Sequence, residues 1–144
     1  MGHPAQDSVS FDIYFQCVAG DPPGISRAAV RALFPIVEES SELDFWSVCY
    51  DRANSCTIHV TPAKANRDLI TSLSVNRPCG DVRFWESVLA ILKMGPVILY
   101  WPGGGPLVGS DRVAAEFPLE IAESLGQPIC VSSAQEIMDA IRES

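Results

Sequence analysis

The sequence predicts an α+β protein: a single mixed β-sheet with about four helices packed on it. Three observations carry this expectation. The first half holds short apolar stretches of period two, as strands half buried on a sheet do. The second half alternates helical and strand-like stretches. Between them, 76–109 (NRPCGDVRFWESVLAILKMGPVILYWPGGGPLVG) reads as a turn, an amphipathic helix, a sharp stop, a buried strand and a glycine loop. At 144 residues one domain is expected, over 11–144, with 1–10 as a disordered lead-in.

Each element has its own signal. Phe11, Ile13, Phe15 and Cys17 alternate with Asp12, Tyr14 and Gln16, which makes 11–19 a half-buried strand. The run GDPPG at 20–24 ends it. Ser26 suits the N-cap of a helix reaching Phe34, with Val30, Leu33 and Phe34 on one face, and Pro35 cannot extend it. Ile36 and Val37 form a short strand or a linker, and Ser40 to Asp44 a polar turn. Phe45 to Tyr50 and Cys56 to Val60 read as a hairpin around a turn at 51–55. A loop opened by Pro62 covers 61–68, and 69–75 resumes a strand.

Asp81 can cap the next helix, where Trp85, Val88, Leu89 and Leu92 recur at helical spacing and Phe84 and Ile91 widen the stripe. Gly95 and Pro96 stop it. Val97 to Trp101 is apolar without alternation, as a central strand should be. After 102–106 the chain becomes helical. Asp111 caps a short turn to Phe117, and Pro118 opens a segment from Leu119 to Leu125 that Gly126 closes. Ile129 to Val131 is a short strand, and Ser133 with Glu136 is a capping box for a last helix facing Ile137 and Ile141 inward.

Ten basic against 18 acidic side chains give a net charge of −8. That balance argues against nucleic acid and anionic membrane as partners, and suits a basic protein partner. No apolar run approaches the ~20 residues of a membrane span. The start of the chain carries no leader pattern. The five cysteines include no C-x-x-C pair, so reduced thiols and a cytoplasmic location are expected.

The glycine loop invites comparison with a phosphate cradle, and Gly104 and Gly109 have that spacing. Ser110 stands where the lysine belongs, Pro106 removes an amide and Asp111 repels phosphate, so a tight turn is the better reading. Cys79 precedes a helix N-terminus, which favours a thiolate, but a Cys–His pair would need His59 beside it. Cys49, Cys56 and His59 do not converge on one strand face, so neither a metal nor a cofactor is expected. Glu38, Glu39, Glu42 and Asp44 flank Phe45 and Trp46. They form either an acidic docking surface with exposed aromatics or a solvated turn with the aromatics in the core.

The motif Asn76-Arg77-Pro78-x-Gly80-Asp81-x-Arg83-Phe84-Trp85, followed by Leu99-Tyr100-Trp101-Pro102-Gly103-Gly104-Gly105, resembles a family of small bacterial proteins of unassigned function. The strand from Phe11 to Phe15, Asp44-Phe45-Trp46 and Val131-Ser132-Ser133 also fit, so the resemblance covers most of the chain. It implies a bacterial, cytosolic, single-domain protein and transfers no catalytic residue. The leading expectation is therefore a non-catalytic binding protein, such as an immunity protein that neutralises a toxin. It would meet a basic partner through Glu38, Glu39, Glu42, Asp44 and Trp46. The alternative is a small-molecule or anion site, enzymatic or not, between the 76–80 turn and the 102–106 loop. It would be built from Asn76, Arg77, Cys79, Trp101, Gly103, Gly104 and Gly105. A homodimer through Trp46 or Trp101 is the third possibility.

Overall fold

A computed structural model describes residues 11–19 and 23–144. The lead-in expected at 1–10 and the centre of the turn at 20–24 lie outside the described residues. The fold is α+β, with one mixed sheet of nine strands and five helices among the described residues. The elements are β1 (Ile13–Cys17), β2 (Ile25–Ser26), α1 (Arg27–Arg31), β3 (Ile36–Ser40), β4 (Phe45–Asp51), β5 (Asn54–Pro62), β6 (Leu69–Asn76), α2 (Val82–Leu92), β7 (Val97–Trp101), β8 (Gly104–Val108), α3 (Asp111–Ala115), α4 (Leu119–Leu125), β9 (Ile129–Cys130) and α5 (Ala134–Arg142).

The strand order is β3-β4-β5-β6-β1-β7-β8-β9, with β2 on β6 beside β1. Only β8 and β9 pair in parallel; the other pairings are antiparallel. In β1 the expected alternation holds: Ile13, Phe15 and Cys17 are buried, Tyr14 and Gln16 half-buried. The inward residues of the strands meet Val30 of α1, the apolar stripe of α2, and Ile137 and Ile141 of α5 in one core. The opposite face is open along much of its width. A row across it runs from Phe45 through His59, Ser74 and Tyr14 to Tyr100. Near the β9 edge, α3 and α4 pack on β8, and Ile98 and Val108 are buried on that side.

The helices follow their caps. Asp81 accepts the amide of Arg83 at 2.9 Å and opens α2, whose Phe84, Trp85, Val88, Ile91 and Leu92 are buried. The helix ends at Leu92, capped by Lys93 rather than by Gly95. Ser133 Oγ accepts the amide of Glu136 at 3.1 Å, and Glu136 Oε1 accepts the Ser132 amide at 2.9 Å. That closes the expected capping box one residue further back. Helix α1 stops at Arg31, and a turn carries the chain to Phe34.

Three expectations are corrected. The segment 102–106 is no free loop leading to a helix: Pro102 and Gly103 turn the chain, and Gly104–Val108 runs back along β7 as a strand. Glycine disfavours strands in general, but here it is needed. A Cβ at Gly104 would strike the indole of Trp101, its cross-strand partner. The 51–55 turn tightens to Arg52 and Ala53, because Asp51 Oδ1 accepts from the Ala53 amide at 2.9 Å and from Asn54 Nδ2 at 3.0 Å. Ile36–Ser40 is a full edge strand, with Val37, Glu38 and Glu39 exposed. Charges there discourage pairing with another chain.

Candidate functional site

The acidic cluster near β3 and β4 comes apart on inspection of its partners. Glu39 Oε1 is 3.0 Å from Arg31 Nη2, and its Oε2 accepts from Trp46 Nε1 at 2.9 Å. The Arg31 hydrogen bonds, and secondarily that of the indole, hold the Glu39 carboxyl below its ordinary range. Asp44 Oδ1 lies 2.8 Å from Arg67 Nη2 and 3.5 Å from Arg27 Nη2. Trp46 is 1% exposed, because β4 alternates and its indole N–H finds Glu39 inside the rim. Trp46 is thus a core residue and not a surface anchor. Glu38 and Glu42 remain exposed, beside the exposed side chains of Val37 and Leu43.

The second expected set is divided in two. Asn76 ends β6, and Arg77, with φ of 42°, gives its amide to Asp12 Oδ1 at 3.2 Å. Because β1 lies between β6 and β7, this turn and the Pro102–Gly103 turn sit at the same end of the sheet, one strand apart. Neither of the two main hollows described below is lined by both turns. Cys79 is buried beneath the first turn, and its carbonyl accepts from Trp85 Nε1 at 3.0 Å. His59 projects from the opposite face of the sheet, beside Phe45, and so does not pair with Cys79. Gly103 lies exposed at the hairpin tip.

Trp101, Gly104 and Gly105 belong instead to a groove of about 370 Å³ between the edge formed by β8 and β9 and helix α5. Its floor is Trp101, Leu107, Ile129 and Val131. Its α5 wall is Glu136, Asp139, Ala140, Glu143 and Ser144, and no lysine or arginine lines it. Trp101 is 4% exposed, and its Nε1 donates to Ser144 Oγ at 3.0 Å, tying the floor to the end of the wall. Like Trp46, it offers no projecting indole to a homodimer contact.

The wall's charge is graded. Glu136 is held below the usual carboxylate range, mainly by hydrogen bonds from the Ser132 hydroxyl and amide. Asp139 Oδ1 accepts from Gln135 Nε2 at 2.8 Å and lies 3.9 Å from Arg142 Nη1. Glu143 is exposed beyond them. Acidic residues three, four and seven apart share one face of a helix, so this wall had a sequence signal. That signal lacked its meaning until β8 and β9 supplied the opposite side.

A larger hollow, about 490 Å³, lies where α2 ends and α3 begins, lined in part by Lys93, Arg112 and Glu116. Its charge is mixed, and Arg112 already pairs with Glu116 at 3.6 Å. Among the described residues no helix is long and apolar enough to cross a membrane. Comparisons with protein-family models, with curated proteins and with solved structures each found no match to this chain.

Proposed function

We propose that the protein is a non-catalytic binding protein that holds a basic segment of a protein partner in the groove between β8, β9 and α5. The observation that carries this reading is the combination of an apolar floor with a wall of Glu136, Asp139 and Glu143 and no lining cation. A basic side chain can lay its methylene stem on Trp101 and Ile129 and its charged head against the carboxylates. The net charge of −8 steers such a partner from a distance. An immunity protein that neutralises a basic toxin in the same bacterial cell is the concrete form of this reading.

The test is a titration with a short arginine-rich peptide, followed by tryptophan fluorescence at low and at physiological salt. The double reversal Asp139→Lys with Glu143→Lys should weaken binding at least ~100-fold, since each tenfold step is about 1.4 kcal/mol. Added salt should weaken the unmodified protein further. Equal binding by both forms overturns the reading. Capture from native lysate on both forms then identifies the partner, which must be lost with the reversal.

A second reading, a small-molecule site, keeps Trp101, Gly104 and Gly105, which line this groove. Asn76, Arg77 and Cys79 do not line it. Arginine or spermidine binding as tightly as the peptide would favour that second reading.

A further inference from the structure

The sheet face turned away from α5 carries a second set of side chains. Its central row, Phe45, His59, Ser74, Tyr14 and Tyr100, crosses five neighbouring strands in register. Tyr14 and Tyr100 stack with ring centroids 5.5 Å apart, and Phe45 leans on His59 at 6.4 Å. Strands lie about 4.8 Å apart, so the row is roughly 19 Å long, with an aromatic pair at each end. Residues two apart on a strand share a face. That sets Ser47, Thr57 and Asn76 about 7 Å to one side of the row, and Thr61, Ser72 and Gln16 as far to the other. None of the hydroxyls on these residues, nor the His59 ring or the Asn76 side-chain amide, has a hydrogen-bond partner among the described residues. Gln16 alone spends its side-chain amide within the sheet, on the Cys17 and Thr71 carbonyls at 3.3 and 3.5 Å. The chain has ten basic and 18 acidic side chains, yet none stands at these positions. Asp12, two residues before Tyr14, and Glu38, beside Ser47 on β3, bound the face.

We propose that this face binds a neutral, extended β-1,4-linked glucan chain, laid across the strands along the row from Phe45 to Tyr100. An uncharged face suits an uncharged partner: a carboxylate or ammonium covered by sugar would lose its water without gaining a counter-charge. Each sugar offers C–H groups on its flat faces and hydroxyls round its rim. The C–H groups pack on the aromatic pairs, whose tyrosine hydroxyls add further donors. The sugar hydroxyls donate and accept, as do those of Ser47, Thr57, Thr61 and Ser72 on the two flanks. A β-1,4-linked chain is a flat ribbon whose repeat is close to the strand spacing, so successive sugars meet successive strands. An α-linked chain coils away from a flat surface. Nucleic acid would also stack on aromatics, but its phosphates need cations that these positions lack. Two copies face to face would press hydroxyl rows together, where packed sheets interdigitate apolar side chains. The site is separate from the groove at β8, β9 and α5 and does not rest on the reading given to that groove.

The test is calorimetric titration of the full chain with cellohexaose, and in parallel with maltohexaose, its α-linked counterpart. Cellohexaose should bind saturably, and maltohexaose about tenfold more weakly or worse. Tyr14→Ala removes half of one aromatic pair, and His59→Glu puts a charge at an exposed position of the row. Each should weaken cellohexaose binding by about tenfold or more. Thermal unfolding checks that each variant is folded, and Thr61→Lys, also at an exposed position, stands in for one that is not. The groove reversal Asp139→Lys with Glu143→Lys should bind cellohexaose as the unmodified chain does. Absence of saturable cellohexaose binding at millimolar concentration overturns the proposal, as does maltohexaose binding equally well. Undiminished binding in the folded face variants, or loss of binding in the groove reversal, overturns it too. A dimer that His59→Glu dissociates in sedimentation would make the face an interface between copies and overturn the glucan assignment.

Discussion

Gly104 offers a direct measure of how the groove floor is held. A methyl group at this position would occupy the space of the Trp101 indole, which is 4% exposed and cannot swing outward freely. Forcing one methyl into a packed site costs about 1–3 kcal/mol. Displacing the indole also strains its 3.0 Å hydrogen bond to Ser144 Oγ, a loss of about 1 kcal/mol. Against this, alanine removes some freedom from the unfolded chain, a gain of about 0.5–1 kcal/mol. The Gly104→Ala variant should therefore lose about 2 kcal/mol. With a urea slope of about 2 kcal/mol per molar, its unfolding midpoint falls by about 1 M. Gly103→Ala separates packing from backbone. Its φ is +86° and nothing lies within 4 Å of the added atom, so only the left-handed conformation counts. That costs about 1 kcal/mol and moves the midpoint about half as far. Both are read from urea curves by tryptophan fluorescence. A Gly104→Ala midpoint equal to that of the unmodified protein, or above that of Gly103→Ala, would refute the packing argument.

Other outcomes follow from single groups. The Tyr50 hydroxyl is buried with no hydrogen-bond partner among the described residues, while neighbouring Ser87 Oγ turns its own proton to Leu33 O at 2.8 Å. Burial pushes Tyr50 up to about 12. Tyr50→Phe removes the orphaned group and should stabilise the protein by about 1 kcal/mol in thermal unfolding; a loss of that size would show a missing partner. Glu136 is held below its unfolded value of about 4.3 by Ser132 and Ser133. Its contribution is thus complete above that pH and disappears as pH falls through the folded value. The stability gap between the unmodified protein and Glu136→Gln should be open at neutral pH and close in acid; a gap that widens on acidification contradicts the capping role.

The parts that could be read in advance are those whose cause is local. β1 shows its period of two, α2 its stripe from Phe84 to Leu92, and α5 its capping box, because neighbours in sequence decide each of them. β8 escaped, since Gly104, Gly105 and Pro106 are poor strand formers and become a strand only because β7 and Trp101 are beside them. β3 escaped in part, because an exposed edge shows little alternation. The acidic cluster around Asp44 looked like free charge until Arg27, Arg31 and Arg67, which lie in other elements, folded onto it.

The place of β1 has a consequence for how the chain assembles. The strands β3 to β6 join sequence neighbours and can zip up as successive hairpins. β1 instead lies between β6 and β7, bonding Phe15 to Leu73 on one side and to Leu99 on the other. β1 has no partner on either side until β6 has been made, and closing it fuses two separate hairpin systems into one sheet. Such long-range closure is slow, and the edges that wait for it are open to other chains in the interval. The central seam, rather than either outer rim, is where this sheet is most exposed to mispairing during synthesis.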